Sequence, residues 1–143
     1  MAVVAAISVD RGIDCVMIFD EAVKTETFIQ FIETLRQGNG NRHLNVFLDN
    51  LAVHRTTEVK EAYDKNNIQA IYNVPYRYDF NPIELVFSQV KRVYRKAKLN
   101  AFINDKPFDY KAEIHKAFSA VSKQTVANCI RHSTEIITKI NSN

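Results

Sequence analysis

The strongest constraint on the fold of this chain is the alternation of short apolar runs with longer segments of helical periodicity. Runs rich in Val, Ala, Ile and Leu occupy residues 2–9, 13–19, 44–48 and 68–72. Apolar runs of this length predict strands, and those without polar alternation predict strands buried on both faces. The segments between and after them place apolar residues three and four apart, which predicts helices.

The predicted element order is strand, strand, helix, strand, helix, strand, helix, helix, helix. The helices are predicted at residues 24–37, 57–66, 81–98, 110–120 and 122–140, with a linker at 100–108. The Asp10-Arg11-Gly12 turn predicts an antiparallel hairpin of the first two strands. This order indicates an α/β fold with a mixed sheet covered by helices. At 143 residues, we expect a single domain spanning positions 1–143.

Composition narrows the classes of function. Cys15 and Cys129 are far apart, which favours free or buried thiols, and no Cys/His cluster indicates zinc. No apolar run approaches the roughly 20 residues of a membrane span, and no signal peptide is recognisable. We therefore expect an intracellular protein. The net charge of +3 is weak support for a nucleic-acid partner by itself.

Two carboxylates occupy positions that favour metal chemistry. Asp49 follows a predicted strand, at the end where α/β sheets place their sites, and Glu84 lies in the first turn of the third predicted helix. Carboxylates from two elements can converge on Mg²⁺, and a pair of such ions supports phosphodiester cleavage. Spacing alone favours structural roles, which can coexist with metal binding. Asp49 suits a turn, and Glu84 suits a capping box with Asn81 as N-cap and Pro82 next to it.

The residues around these carboxylates carry further hypotheses. His54 can orient a carboxylate or contact phosphate, and it also fits a packing role. The helix after Asn81 has no acid between positions 85 and 98, and its basic residues continue the face that bears Glu84. A basic stripe of this kind suits a phosphate backbone, although it also suits a solvated face. The candidate nucleic-acid contacts are Lys91, Arg92, Arg95, Lys96, Lys98 and Arg77, and Tyr72, Tyr76 and Tyr78 are candidates for base stacking.

Several segments together resemble the catalytic domain of mariner-superfamily DDE transposases. VFLDNLAVHR (46–55) is similar to the strand that bears the second aspartate, and YNVPYRYDFNPIELVFSQVKRVYRK (72–96) is similar to the loop, Asn-Pro-Ile-Glu motif and basic helix of that family. AAISVDRG (5–12), FDEAVKTETFIQFIETL (19–35) and CIRHS (129–133) resemble its hairpin, first helix and C-terminal helix. Thirty-four residues separate Asp49 from Glu84, which matches one arrangement of the family.

The resemblance implies an RNase H-like fold and a triad of Asp, Asp and Asp/Glu that binds two Mg²⁺ or Mn²⁺ ions for DNA cleavage and strand transfer. It assigns Asp49 as the second carboxylate and Glu84 as the third, both metal ligands, with Asn50, His54 and Asn81 in supporting positions. It also implies a nuclear location if the source is eukaryotic.

The chain departs from the family pattern at the first catalytic position. No residue matches the first aspartate, because the sequence opens on the hairpin that follows the central strand in the family. We therefore expect open backbone edges that a protein partner or self-association covers. The leading hypothesis is a transposase-derived, nucleic-acid-associated or scaffolding subunit without autonomous catalysis. The alternatives are an active DDE transposase or endonuclease seen as a fragment, and an interaction module without nucleic-acid contact.

Overall fold

The computed structural model describes residues 1–142 and has the α/β class expected from the sequence. The elements in chain order are β1 (Ala2–Ser8), β2 (Gly12–Phe19), α1 (Thr25–Gly38), β3 (Leu44–Leu48), α2 (Thr57–Lys65), β4 (Ile68–Tyr72), α3 (Pro82–Ile103), α4 (Tyr110–Ser119) and α5 (Lys123–Asn141). Two short 3₁₀ turns cover Ala52–Arg55 and Tyr78–Phe80. Five helices and two small sheets are consistent with an RNase H-like arrangement.

The expected mixed sheet is divided into two pairs within the part of the chain that is described. β1 and β2 form an antiparallel hairpin, with Val4 opposite Met17. β3 and β4 run parallel, with Leu48 opposite Tyr72. No hydrogen-bonded ladder joins one pair to the other, so each of these strands keeps one edge without a strand neighbour.

The hairpin lies between two apolar cores. Val4, Ala6, Cys15 and Met17 pack against the first core cluster, which is built from α1, α2, β3 and β4 and consists of Phe28, Phe31, Ile32, Leu48, Val59, Ala62, Tyr63 and Ile68. The opposite face of the hairpin, including Val3, Ala5 and Val16, packs against the second core cluster of α3, α4 and α5. Its buried members are Val86, Val90, Ile114, Ala117, Phe118, Val126 and Cys129. The prediction of a hairpin with two covered faces is therefore confirmed.

The pair of β3 and β4, predicted as strands from their apolar runs, is covered on only one face. Leu48 and Ile68 are buried, whereas Phe47 and Ile71 are 40% and 45% exposed. The strands alternate, since Asn45 and Gln69 share the exposed face with those two apolar residues. The result is an exposed apolar patch beside open strand edges.

Helix α3 is longer than the sequence predicted. It continues to Ile103, through part of the region expected to be a linker, because Ala101, Phe102 and Ile103 are compatible with a helix. It ends where Asn104 caps it and Asp105 takes a positive φ of 49°. Both cysteines are free, as expected, with Cys129 buried. No helix among residues 1–142 is long and apolar enough to cross a membrane.

Helix α5 contains two serines whose environments predict opposite effects on stability. Ser122 is the N-cap, and its hydroxyl accepts a hydrogen bond of 3.1 Å from the Thr125 amide. Ser133 is 2% exposed, and its hydroxyl has no hydrogen-bond partner among residues 1–142. A buried hydroxyl without a partner is destabilising relative to an apolar group of similar size.

We expect Ser122→Ala to lower the free energy of unfolding by about 1 kcal/mol, because a helix cap is lost. Ser133→Ala should instead leave it unchanged or raise it by up to about 1 kcal/mol. Urea denaturation followed by circular dichroism measures both variants under the same conditions. A clear destabilisation by Ser133→Ala would mean that its hydroxyl is satisfied in solution.

Candidate functional site

Asp49 lies one residue beyond β3 and is held by a histidine from the following turn. The Asp49 Oδ1 atom is 2.8 Å from Nδ1 of His54, and the Asp49 side chain is 37% exposed while that of His54 is 13% exposed. The same histidine nitrogen lies 3.3 Å from the backbone oxygen of Asp49. The carboxylate is therefore oriented on one side and remains open to solvent on the other.

His54 is built into the fold from both its ring and its backbone. Its ring stacks on Phe28 with centroids 4.4 Å apart. Its carbonyl accepts hydrogen bonds from the hydroxyls of Tyr63 at 3.1 Å and Tyr72 at 3.0 Å. Burial, and then the nearby Tyr72, raises the pKa of Tyr63 well above its ordinary range, so this donor stays protonated. His54 thus combines the packing role with the orienting role.

Two asparagines connect the ends of β3 and β4. The Asn50 side-chain amide donates to the backbone carbonyl of Asn73, and the backbone N–H of Asn73 donates to the Leu48 carbonyl at 2.8 Å. Asn73 is only 6% exposed. Its own side chain accepts from the Val74 amide at 2.8 Å and donates to the Arg77 carbonyl at 2.7 Å. Asn73 was not identified from the sequence, because its contacts with Asn50 and Leu48 arise only when β4 pairs with β3.

Glu84 lies in the first turn of α3 and is exposed. Asn81, which is 7% exposed, is the N-cap, and its side chain accepts from the Ile83 amide at 3.2 Å. The capping box considered for Glu84 is not formed, because the Asn81 backbone amide, which Glu84 would accept from, already donates to the Tyr78 carbonyl at 3.0 Å. Within the described chain the Glu84 carboxylate makes no hydrogen bond and no ion pair.

The arrangement brings Asp49 together with His54, and Asn50 together with the end of β4. Between positions 1 and 142, no hydrogen bond joins the Asp49 carboxylate to Glu84, and their convergence remains a prediction. Those residues also contain no group of three or more His, Cys, Asp and Glu side chains placed to hold a metal ion. Two oxygen-donor residues fall short of the set that a two-ion site needs, so the residues present do not fit a complete metal centre.

Helix α3 presents a continuous basic stripe to solvent. Its apolar side is buried through Val86 and Val90, as the periodicity predicted, and the face that carries Glu84, Ser88, Lys91, Arg95 and Lys98 is exposed. Lys98 also lies over the ring of Tyr110, with its Nζ atom 5.6 Å from the centroid. Lys91, Arg92, Arg95 and Lys96 form no ion pair with any residue up to position 142. The basic part of this face, from Lys91 to Lys98, extends about 10 Å along the helix axis.

Arg77 is engaged within its own loop. Its guanidinium forms a two-pronged pair with Asp79, at 2.9 Å to Oδ1 and 2.6 Å to Oδ2, and lies 3.9 Å from the ring centroid of Phe80. The hydrogen bonds of this pair lower the pKa of Asp79 and raise the pKa of Arg77. Of the predicted nucleic-acid contacts, Arg77 is thus the one whose charge is already neutralised.

The comparison with protein families decides the assignment. The model of the DDE superfamily endonuclease matches residues 1–105, most of the chain. The chain belongs to the DDE superfamily of endonucleases. The match spans both Asp49-Asn50 and the segment from Asn81 to Glu84, and it ends just beyond α3. A comparison with curated proteins found no match. DDE endonucleases typically use Mg²⁺ or Mn²⁺ and act on DNA.

Proposed function

We propose that this DDE domain is a transposase-derived subunit of the mariner branch that associates with DNA and does not cleave it alone. One observation carries this proposal: the DDE motifs supply two carboxylates, Asp49 and Glu84, and Glu84 lies in the first turn of a helix whose exposed face is basic. Backbone contacts to DNA need only the helix, whereas two-ion cleavage needs a further ligand. We place the domain in a complex, as a domesticated derivative, and in the nucleus if the source is eukaryotic.

The basic stripe accounts for the DNA contact in this proposal. Its side chains are exposed and lack acidic partners among the described residues, so their charge is available to phosphates. Each lysine or arginine that neutralises a phosphate releases counterions, and binding then weakens as salt rises. Contacts of this kind do not distinguish one DNA sequence from another, because every sequence has the same phosphates.

The double variant Lys91→Gln/Arg95→Gln should bind duplex DNA more weakly than the wild type. The slope of log K against log salt should fall by about two, since roughly one unit is lost per phosphate contact. Fluorescence anisotropy with a labelled duplex at several salt concentrations measures this slope.

The matched control is Lys60→Gln/Lys65→Gln, which removes the same charge from exposed positions of α2 and should leave the slope close to that of the wild type. Salt-insensitive binding, or an equal effect of the two double variants, would favour an interaction module without specific nucleic-acid contact.

A second candidate function is a metal-dependent DDE transposase or endonuclease whose first aspartate comes from elsewhere. The 2.8 Å contact of His54 with Asp49 favours it, because an oriented and partly exposed carboxylate is what a metal ligand requires. The exposed Glu84 carboxylate, unused by a capping box, is also compatible with ligation. The two functions differ in whether this chain cleaves DNA by itself.

We expect the chain alone to show no nicking of supercoiled plasmid in Mg²⁺ or Mn²⁺ above that of its Asp49→Ala variant. The reason is that two carboxylates do not hold two ions in the geometry needed for in-line displacement. Gel electrophoresis of the plasmid measures nicking. Metal-dependent nicking that Asp49→Ala abolishes, and that the control Asp64→Ala in α2 retains, would establish the second candidate instead.

The open strand edges support a protein partner. Charged side chains and proline normally protect a strand edge from pairing, and β3 contains neither. The exposed apolar pair Phe47 and Ile71 lies on adjacent positions of β3 and β4. We propose that, in isolation, a second copy of the chain covers this surface.

The isolated domain should therefore associate with itself as its concentration rises, and light scattering after gel filtration should show a mass above 16.4 kDa. Ile71→Lys should restore the monomer, because it places a charge on the apolar patch. Gln69→Lys, on the same face but without loss of apolar surface, serves as the control. A wild-type chain that stays monomeric at every concentration would exclude self-association.

A further inference from the structure

Two tyrosines project into solvent from the loop that connects the two DDE carboxylate positions. Tyr76 is 89% exposed and Tyr78 is 65% exposed. Tyrosine is ordinarily a partly buried residue, because its ring is large and apolar. Tyr72, at the end of β4, behaves in the ordinary way, since its hydroxyl donates to the His54 carbonyl. The two exposed rings therefore need a separate explanation.

The loop beneath these rings is held by buried and paired groups. Asn73 spans it with hydrogen bonds to the Val74 amide and the Arg77 carbonyl. Arg77 is fixed by Asp79 and by the ring of Phe80, and Phe80 directly precedes the buried Asn81 cap of α3. The backbone that carries Tyr76 and Tyr78 is thus tied at both ends to the core, which holds the rings outward.

The backbone conformation of Tyr76 is strained, and its exposed side chain gains no burial energy that would offset the strain. Its φ is +63°, in the left-handed region that glycine and asparagine adopt easily and a bulky aromatic residue rarely does. Conformations of this kind cost of the order of 1–3 kcal/mol and concentrate at functional positions. An exposed aromatic ring in this conformation gains no burial in the free protein, which indicates that its contacts are made with a ligand.

The surroundings define the chemistry of that ligand. The loop has no free positive charge of its own, because Arg77 is paired with Asp79. Helix α3 begins directly after the loop and carries the unpaired basic residues. A ligand that contacts both the loop and helix α3 would present regularly spaced negative charges to the helix and flat rings to the two tyrosines. Unpaired nucleotides have both features, since their phosphates bind lysine and arginine while their bases stack on aromatic rings.

We propose that Tyr76 and Tyr78 form a stacking platform for unpaired bases of a DNA strand whose phosphates lie along α3. This inference rests on the proposed DNA association and adds a specific form of the ligand: single-stranded or locally opened DNA. A base in an intact duplex has its faces covered by its neighbours, so the platform contributes nothing to duplex binding. The loop therefore separates two classes of DNA that the basic stripe alone binds alike.

The double variant Tyr76→Ala/Tyr78→Ala tests the proposal by fluorescence anisotropy with labelled oligothymidylate and with a duplex of equal length. Loss of base–aromatic stacking weakens single-strand binding by roughly 5-fold to 100-fold per ring, with duplex binding nearly unchanged. Tyr76→Phe/Tyr78→Phe retains both rings and should bind like the wild type. Equal affinity of the alanine variant and the wild type for the single strand would overturn the platform.

A spectroscopic experiment reports stacking directly. The chain contains no tryptophan, so Tyr76→Trp introduces a single tryptophan into the platform, which can be excited selectively over the tyrosines. Its emission should be quenched by oligothymidylate, whereas that of Val9→Trp, at the exposed hairpin turn, should not. Equal responses of the two reporters would also overturn the proposal.

Failure of the platform and failure of the proposed function have different signatures. If Lys91→Gln/Arg95→Gln weakens binding to both forms of DNA while the tyrosine variants change neither, the stripe stands and the platform does not. If the wild type binds neither form, the DNA association itself is wrong. Tyr76→Asn separates stacking from folding, because it should relieve backbone strain and keep or raise the Tm while still weakening single-strand binding.

Discussion

Packing of the β1–β2 hairpin between two apolar cores is the constraint on which the rest of the structure depends. One face of the hairpin contacts the cluster around Val59 and the other contacts the cluster around Val86, and both of these valines are fully buried. Because side chains alternate across a strand, one short ribbon provides apolar surface to both clusters at once. The cluster that contains Leu48, next to Asp49, and the cluster that contains Val86, close to Glu84, are thereby joined through the same hairpin.

The candidate site is organised by amides more than by charges. Asn50, Asn73 and Asn81 each satisfy backbone groups where a strand ends or a helix begins. Such groups are costly to leave unpaired when buried, and short amide side chains satisfy them without adding charge. Among residues 1–142 the Glu84 carboxylate has no hydrogen-bond partner, whereas the Asp49 carboxylate contacts His54 and accepts a 3.5 Å hydrogen bond from the Leu51 amide. A rigid frame with exposed functional groups is typical of a binding surface.

Local sequence patterns were sufficient to predict the strands and the apolar face of α3. They were not sufficient to predict features that depend on residues distant in the sequence. The bounds of β3 and β4 were predicted because each apolar run ends at a polar residue. The exposure of Phe47 was not, since burial depends on which element covers a face. Asn73 looked like any turn residue, and its role arises only when β4 pairs with β3. The end of α3 was misplaced because Asn100 does not stop a helix, whereas the positive φ of Asp105 does.

The edge of β3 that has no strand neighbour among residues 1–142 leads directly to Asp49, the residue after this strand. Neighbouring strands in a sheet lie about 4.8 Å apart, so a strand paired with the open edge of β3 would end beside Asp49. It would satisfy the unpaired backbone groups of β3, and a side chain at its end would lie within reach of a metal ion bound by Asp49. A chain that binds such a strand gains edge protection and a third ligand together. A second copy that covered only the exposed face at Phe47 and Ile71 would leave the backbone edge of β3 unpaired and would bring no such ligand to Asp49.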